Sequence, residues 1–175
     1  MKYIKLFENF HTEISEITPE DNDAVIDVLH EVFGSLDSRE VIKSRIQKRL
    51  NNGLSVKIVY DGKIVGCYLL AEKSVNEFIS DIEQDKVSDF RRNDTSVDLQ
   101  VNPGDRGLQG IALAVMPEYR DLELGKKMKN YVRGLGYDYI WGVQDKKLMN
   151  INFWKRSREV FAESPTKYAT IEILR

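Results

Sequence analysis

The sequence predicts a mixed α/β (α+β) fold in which helices flank both faces of one sheet. Three observations support this prediction. The 175 residues fit one domain and show no repeat or linker. Segments with helical spacing of apolar residues alternate with short apolar runs typical of strands. Two of these runs lie on either side of Asp61-Gly62, which predicts a hairpin.

The composition is that of a soluble globular protein, with 42% hydrophobic and 31% charged residues. The formal net charge is −2, and the sequence lacks the clustered basic and aromatic residues of a nucleic-acid-binding face. We therefore expect no nucleic-acid partner. A small-molecule or protein partner, and a monomer or homodimer, remain the expectation.

Cysteine and histidine are too few for a metal cluster or an internal disulfide. Cys67 is the one cysteine and lies in an apolar run, which favours a small buried hydrophobic residue over a nucleophile. His11 and His30 lie in unrelated contexts, so no metal is expected. No apolar run is long enough to span a membrane, and the start is charged too early for a secretory signal. We expect a reducing, cytoplasmic setting.

The first half of the chain predicts a short strand over 14–17, two helices and a strand hairpin. Thr18-Pro19 begins the first helix, with Asp21 completing a capping box, and Gly34 ends it. The second helix follows Ser38 and is closed by Gly53. The apolar faces are Ala24, Val25, Val28, Leu29, Val32 and Phe33 in the first helix, and Val41, Ile42, Ile46 and Leu50 in the second.

The hairpin that follows combines two kinds of strand. Residues 54–60 alternate between apolar and polar, as in a half-buried strand. Residues 64–71 are almost continuously apolar, which predicts a central strand buried on both faces. Residues 72–106 are charged and weakly patterned, with one short helix near 75–82, and a loop of this length is typical of a functional region.

The second half alternates between strands and helices. The pattern predicts strands over 107–116, 139–143 and 168–174, and helices over 122–135 and 148–161. Leu124, Met128, Tyr131, Val132 and Leu135 form the apolar face of the first of these helices. Ser164-Pro165 ends the second.

The chemistry is indicated by the connection between the strand 107–116 and the helix after it. The strand ends at Pro117, a short polar turn contains Arg120, and Gly125 and Lys126 lie in the first helical turn. Backbone N–H groups at a helix start have no intrahelical partner and lie at the positive end of the helix dipole, which together favour an anion. Gly125 allows close approach of a phosphate, and Lys126, Lys127 and Lys129 add positive charge.

This segment resembles the cofactor motif of the GNAT (general N-acetyltransferase) superfamily. The motif is a strand, then Val-x-Pro-x-x-Arg, then Arg-x-x-Gly-x-Gly or Ala opening a helix. The chain matches it at Val115, Pro117, Arg120 and Gly125, and departs from it at Glu123, which replaces the first glycine. The order of elements over 14–175 also agrees, so the resemblance implies a GNAT-like, mainly antiparallel sheet in residues 14–175, with residues 1–13 as an N-terminal extension.

The resemblance implies an acyl-CoA-dependent N-acetyltransferase that uses acetyl-CoA as co-substrate. It places the pantetheine arm against the strand end, and the diphosphate on the turn and helix start. The implied cofactor-binding residues are Leu113, Ala114, Val115, Arg120, Asp121, Leu122, Glu123, Leu124, Gly125 and Lys126, with Asn150 on the late helix. The strand around 113–115 would diverge from the strand 139–143, and a backbone N–H near Val115 would stabilise the oxyanion.

The catalytic acid and base are less evident. Many members place a tyrosine on the late helix as the acid, and here that position holds Trp154 or Phe153, which favours a core residue. Glu72, at the end of the strand before the long loop, is the candidate base; an exposed strand-end glutamate is the alternative. Asp98 and Asp105 are weaker candidates, and Asn150 and Asn152 belong either to the cofactor site or to a solvated polar face.

Two functions therefore remain open. The first is an N-acetyltransferase acting on a primary amine of a small molecule or a protein. The second is a GNAT-like domain that has lost catalysis and serves as a binding or structural module. Glu123 and the missing late-helix tyrosine favour the second, whereas the match at the cofactor turn favours the first.

The N-terminal segment suggests an addressing role. Ile4, Phe7 and Phe10 recur at helical spacing after a basic start, and Ile14-Ser15-Glu16 follows. This arrangement resembles the capsid-targeting peptides of large tailed bacteriophages, which are cut after Leu or Ile, any residue, and Glu. It implies a phage-encoded protein packaged in the head and delivered to the host cytoplasm. An N-terminal helix packed on the domain is the alternative.

Overall fold

The computed structural model of the chain describes residues 11–34, 37–87, 89–92, 99, 101–148 and 159–174. Within these ranges the helices are α1 (Asn22–Phe33), α2 (Arg39–Leu50), α3 (Val75–Glu83) and α4 (Leu124–Arg133). The strands are β1 (Thr12–Glu16), β2 (Val56–Tyr60), β3 (Lys63–Glu72), β4 (Arg91–Arg92), β5 (Gly107–Val115), β6 (Tyr139–Asp145), β7 (Glu159–Glu163) and β8 (Lys167–Ile173).

The strands form an open mixed sheet in the order β1-β2-β3-β5-β6-β8-β7-β4. The pairs β1–β2, β6–β8, β7–β8 and β4–β7 are antiparallel, and β5–β6 is parallel. This arrangement confirms the predicted mixed α/β fold with a mainly antiparallel sheet and helices.

The residues group into two compact units. The first contains the described residues up to Cys67 together with Ala114–Met128, and the second contains Tyr68–Leu113 and the described residues from Lys129 onward. Three elements, β3, β5 and α4, continue from one unit into the other.

The N-terminal part of the first unit follows the predicted capping signals. A 3₁₀ turn over Pro19–Asp21 precedes α1, and the Asp21 carboxylate accepts hydrogen bonds from the Thr18 backbone N–H (2.8 Å) and hydroxyl (2.9 Å). Ser38 caps α2 by accepting from the Val41 N–H at 3.4 Å. The predicted capping box and the start of α2 after Ser38 are therefore confirmed, whereas α1 begins at Asn22, after the 3₁₀ turn and later than predicted.

The β2–β3 hairpin also forms as predicted. Asp61 and Gly62 both adopt positive φ angles, 50° and 77°, as a two-residue turn requires. β3 is buried from Val65 to Leu70, so both of its faces are covered. Cys67 lies in this stretch, and burial raises the pKa of its thiol to about 12, which supports a small hydrophobic role over a nucleophile.

Burial along the helices differs from the predicted apolar faces at several residues. Ala24 is exposed and Ile26 is buried in α1, and Val41 in α2 is 37% exposed. On and after α4, Leu124, Met128 and Val132 are buried as predicted, whereas Tyr131 and Leu135 are exposed. Because α4 ends at Arg133, Leu135 lies beyond the helix and does not share its buried stripe.

The second unit has an aromatic core. Phe78 of α3 stacks on Trp141 of β6 at 5.2 Å between ring centroids, and meets Phe161 of β7 edge-on at 6.3 Å. The Trp141 indole N–H donates to the Lys73 carbonyl at 2.8 Å. These contacts hold α3, the predicted short helix of the long loop, against the sheet.

The C-terminal region differs from its prediction. A helix over 148–161 is wrong at its end, because residues 159–161 belong to β7. Phe161 is buried there, at a bulge opposite β8, so packing against the sheet outweighs the apparent helical spacing. Ser164-Pro165 is therefore a strand–strand turn, in which the Ser164 N–H donates to the Lys167 carbonyl at 2.9 Å.

Two further boundaries were not predicted. β4 is a two-residue strand inside the long loop, too short for a periodicity. β1 begins at Thr12 and pairs with Tyr60 of β2, so the first strand starts earlier than residue 14. The separation of residues 1–13 from 14–175 stays a prediction. Within the part of the chain that the structure describes, no helix has both the length and the apolar character needed to cross a bilayer.

Candidate functional site

The connection from β5 to α4 is built by a sharp change in backbone conformation. β5 ends at Val115, and the Met116 N–H donates to the Val65 carbonyl at 2.9 Å, which ties the strand end to β3. A 3₁₀ turn over Pro117–Leu122 follows, and α4 begins at Leu124. The predicted helix start near residue 122 is therefore two residues early.

Glu123 is the single residue between the 3₁₀ turn and α4. Its backbone is left-handed, with φ 54° and ψ 24°, a conformation that glycine adopts without strain. Its carbonyl accepts hydrogen bonds from the N–H groups of Lys126 (3.0 Å) and Lys127 (3.1 Å). The first glycine of the GNAT motif thus corresponds to a position that needs a positive φ, and here a glutamate occupies it.

The Glu123 side chain extends into solvent. It is 70% exposed, and its carboxylate lies 3.2 Å from the Lys126 ammonium, which is 67% exposed. An ion pair this exposed contributes little stability and can rearrange. The extra negative charge is therefore already paired at the surface.

The start of α4 offers the features of an anion site. Helix geometry leaves the N–H groups of Leu124 and Gly125 without an intrahelical acceptor, at the positive end of the helix dipole. Arg120 extends from the turn, with its Nε 3.5 Å from the Val115 carbonyl. The Lys127 ammonium contacts the Thr12 hydroxyl at 3.3 Å. The turn and helix start therefore combine backbone donors and cations, as a phosphate requires.

α4 packs tightly on the strands beneath it. A Cβ on Gly66 of β3 would lie 2.9 Å from the Ala114 carbonyl oxygen and 3.2 Å from the Met128 side chain. Glycine at this position lets β3, the end of β5 and α4 approach each other closely. The position of the helix start relative to the strand end is therefore fixed by packing.

The parallel pairing of β5 with β6 ends early. It runs over four pairs, from Gly107 opposite Tyr139 to Gly110 opposite Gly142, although β5 continues to Val115 and β6 to Asp145. We call the Gly110–Gly142 pair, where the ladder ends, the vertex. Among the described residues, β5 has no register partner on β6 beyond the vertex, so its backbone groups there can pair with a ligand.

The vertex is made of close backbone contacts. A Cβ on Gly142 would lie 2.7 Å from the Gly110 carbonyl oxygen. A Cβ on Gly110 would lie 2.6 Å from the Tyr68 hydroxyl oxygen. Two residues further along β6, the buried side-chain carbonyl oxygen of Gln144 has no hydrogen-bond partner in the described structure. The Tyr68 phenol therefore lies against the last paired residue of β5.

Glu72 lies at the end of β3, beside the start of β5, where the Lys73 N–H donates to the Gly107 carbonyl at 3.1 Å. The Tyr137 hydroxyl donates to its carboxylate at 2.9 Å, and the Arg106 guanidinium lies 3.4 Å away. Both contacts lower the pKa of the Glu72 carboxyl, and the contact with Arg106 has the larger effect. A lowered pKa makes a carboxylate a weaker base, so the contacts favour the structural alternative.

The Arg106 guanidinium completes this cluster by lying over the Tyr137 ring, 4.5 Å from its centroid. Burial of the Tyr137 phenol is the larger cause of its raised pKa, and the hydrogen bond to Glu72 raises that pKa further. The three side chains therefore satisfy one another at the β3 end.

The structure thus brings together most of the predicted cofactor residues. The residues 113–115 form the end of β5, and 120–126 form the turn and the first turn of α4. Asp105 caps the loop before β5 by accepting from the Asn102 N–H at 2.5 Å. Asn150, Asn152, Phe153, Trp154 and Asp98 lie outside the described residues. No cluster of histidine, cysteine and acidic side chains suited to a metal occurs in the described ranges.

The contact between Tyr68 and Gly110 was not predicted from the sequence. The apolar surroundings of Tyr68 in β3 predict a core residue, and it is indeed 4% exposed. Its closeness to Gly110 depends on the pairing of β3 beside β5, which no local pattern reveals.

No protein-family model matches the chain. No curated protein matches it either. Solved structures do match. A GNAT-family acetyltransferase from Streptococcus agalactiae superposes with a TM-score of 0.67 at 12% identity, covering 93% of this chain and 95% of that one.

Two further structures have named activities or ligands. The PaiA N-acetyltransferase of Thermoplasma acidophilum, in complex with coenzyme A, has a TM-score of 0.57 at 14% identity, over 93% and 99% of the two chains. The polyamine N-acetyltransferase of Drosophila melanogaster has a TM-score of 0.64 at 11% identity, over 93% and 99%. The chain therefore has the GNAT fold.

Proposed function

We propose that this protein transfers an acetyl group from acetyl-CoA to a primary amine of a small molecule or a protein. The observation that carries the proposal is the junction at Glu123, where a left-handed residue turns the chain from β5 into α4. α4 begins directly after this residue, so the backbone N–H groups at its start follow the turn that leaves β5. The coenzyme A complex of a protein with this fold supports an acyl-CoA ligand.

The diphosphate fits the start of α4. The N–H groups of Leu124 and Gly125, with Lys126, would bind the phosphate oxygens, and Gly125 presents no side chain to obstruct them. Arg120 would add a cation, and Asp121 and Leu122 would position the turn beneath it. This is the role that the resemblance gives to residues 120–126.

The pantetheine arm fits the free edge of β5. Its amide groups can pair with the backbone of Leu113, Ala114 and Val115, as another strand would. Backbone pairing fixes the thioester without any particular side chain. One of the N–H groups along this edge would then stabilise the oxyanion.

The amine must lose a proton to attack. Glu72 remains the sequence candidate for this base, but Arg106 and Tyr137 hold its carboxylate in the charged form. We propose that Glu72 stabilises the β3 end and that water removes the amine proton.

The second candidate function is a GNAT-like module that binds without catalysis. The glutamate at a left-handed position, where the motif has glycine, favours this alternative.

Calorimetry with acetyl-CoA, followed by measurement of CoA release with a panel of primary amines, separates the two functions. Micromolar binding with amine-dependent release supports the transferase. Binding of acetyl-CoA without CoA release for any amine supports the binding module. Absence of acetyl-CoA binding contradicts the transferase and the proposed cofactor site.

The packaging role of the N-terminal segment also remains a proposal, together with a cytoplasmic site of action. Cleavage after Glu16 would remove β1, which pairs with β2 over five residues. That loss would expose an edge strand, which favours retention of the segment. Intact-mass measurement of the protein from purified virions tests this: a chain that starts at Met1, or absence from the particles, contradicts processing.

A further inference from the structure

The turn that joins α2 to β2 contains the dipeptide Asn52-Gly53. Both residues are exposed, and Gly53 has a φ angle of 71°. Among the described residues, no atom outside its chain neighbours lies within 4 Å of the point that a Cβ on Gly53 would occupy. An asparagine before glycine closes to a cyclic imide more readily than one before another residue, because no Cβ hinders the attacking glycine nitrogen.

The Asn52 side-chain carbonyl is held by two backbone donors. The N–H groups of Leu54 and Ser55 each donate to Asn52 Oδ1 at 3.0 Å. These bonds hold the side-chain amide against the backbone that follows it, next to the Gly53 nitrogen. In the part of the chain that the structure describes, the Gly53 N–H donates no hydrogen bond of its own. The amide carbon is therefore positioned beside the nitrogen that can attack it.

Ser55 anchors this pair of donors. It is 1% exposed, and its hydroxyl donates to the Arg49 carbonyl of α2 at 2.8 Å. Its own carbonyl accepts from the N–H of Ile17, just after β1, at 3.0 Å. Because these contacts fix the backbone on both sides, the two N–H groups are preorganised in the manner of an oxyanion hole.

We propose that Asn52 is a site of autocatalytic deamidation. The Gly53 nitrogen gives its proton to water and bonds to Asn52 Cγ. Negative charge develops on Oδ1, where the N–H groups of Leu54 and Ser55 stabilise it. The Cγ–Nδ2 bond then breaks, and Nδ2 leaves as ammonia after taking up the proton that the glycine nitrogen lost. One water molecule opens the resulting imide, so the net change is water consumed and ammonia released.

The same hydrogen bonds determine which product forms. Water that attacks Cγ of the imide gives aspartate, whereas attack on the main-chain carbonyl carbon of residue 52 gives isoaspartate. Since the two N–H groups polarise the Cγ carbonyl, aspartate forms in excess in the folded chain. An unfolded peptide lacks this polarisation and gives mainly isoaspartate. Aspartate also keeps the native backbone length, so its carboxylate accepts the same two N–H groups.

The test is the ageing of the full-length protein in mildly alkaline buffer. Mass spectrometry of the tryptic peptide 50–57 measures the loss of amide, and fragmentation separates Asn52 from Asn51. Isoaspartyl methyltransferase measures isoaspartate. The chain unfolded in urea and a synthetic peptide of residues 50–57 keep the dipeptide but lose the turn.

Two controls isolate the dipeptide. Asn51 is the internal control, since an asparagine rather than a glycine follows it. Asn52→Gln is the matched variant, because it keeps a side-chain amide but enlarges the ring that has to close. Circular dichroism confirms that the variant is folded.

We expect the folded protein to lose the Asn52 amide roughly tenfold faster than the unfolded chain or the peptide, because two hydrogen bonds stabilise the charged intermediate. Aspartate should exceed isoaspartate only in the folded protein, while Asn51 and the Asn52→Gln variant keep their amides. An equal or slower loss in the folded protein overturns autocatalysis. An excess of isoaspartate in the folded protein, or an equal loss at Asn51 or in Asn52→Gln, overturns the role of the two N–H groups. None of these outcomes depends on acetyl transfer.

Discussion

Glu123 and Glu72 are both glutamates at junctions of secondary structure, and the two regions around them are organised in opposite ways. At Glu123 the backbone defines the region: a left-handed residue starts α4 while its side chain extends into solvent. At Glu72 the backbone is an ordinary strand end, and the side chain defines the region through Arg106 and Tyr137. The first arrangement leaves donors for a ligand, whereas the second uses its donors internally.

The difference shows that a conspicuous charge is a poor guide to a binding site. Both carboxylates have cationic neighbours, yet only the region at Glu123 presents the start of a helix with unpaired N–H groups. Backbone geometry, rather than the presence of an acidic residue, distinguishes the two.

Gly125→Asp should weaken acetyl-CoA binding by about 100-fold or more, because a carboxylate beside the diphosphate adds a like-charge repulsion. Gly125→Ala is the control, since it adds a methyl group without charge and suits a helix. Calorimetry measures both, with circular dichroism to confirm folding. Equal affinity of Gly125→Asp and Gly125→Ala would place the ligand elsewhere.

Glu123→Gly should raise the free energy of unfolding by roughly 0.5–1 kcal/mol. Relief of the left-handed strain, about 1–2 kcal/mol, exceeds the entropic cost of glycine, about 0.5–1 kcal/mol. Affinity for acetyl-CoA should stay equal or improve, because one negative charge is removed. Urea unfolding and calorimetry provide the measurements.

Glu123→Ala is the matched control for that change, since it removes the same carboxylate but keeps a Cβ at a positive φ. It should not gain stability. If alanine stabilises the protein as much as glycine does, the charge rather than the backbone governs this position.

Glu72→Gln should lower stability near pH 7 by a small amount that disappears in acid. Arg106 and Tyr137 lower the pKa of the Glu72 carboxyl below its ordinary value of 4.5, so its stabilisation is present above that value and is lost as the pH falls through the folded pKa. Urea midpoints of the parent and the variant should therefore converge below about pH 4.5. A difference that persists or widens in acid would contradict the ion pair.

Glu72→Gln should change kcat very little. If Glu72 only stabilises the β3 end, kcat should stay within about threefold of the parent, whereas loss of a general base costs roughly 100-fold or more. Steady-state kinetics with an amine acceptor decides. A 100-fold loss together with a vanished acidic limb in the pH profile would restore Glu72 as the base.

Much of the fold follows from local sequence signals. The Thr18–Asp21 capping box, the Asp61-Gly62 turn and the apolar run of β3 each specify structure through nearest neighbours. The candidate cofactor segment is also a prediction from the sequence, since a strand, a proline and an arginine followed by a helix form a local pattern. The fold class predicted from these signals is confirmed by the order and pairing of the strands.

Other features depend on contacts that no local pattern encodes. The left-handed φ of Glu123 contradicts the usual preference for glycine and is imposed by the connection between two packed elements. Phe161 has helical spacing but lies in β7, at a bulge opposite β8, because its side chain is buried there in the aromatic core.

Most of the elements and the candidate phosphate segment could be predicted from the sequence alone, because caps, turns and periodicity act over a few residues. The contacts between distant side chains, in contrast, are set by the tertiary structure. It bound Glu72 to Arg106 and Tyr137, and it set the Tyr68 phenol against Gly110. These contacts join residues that are far apart in the chain. They depend on the order of the strands, which is a property of the whole sheet.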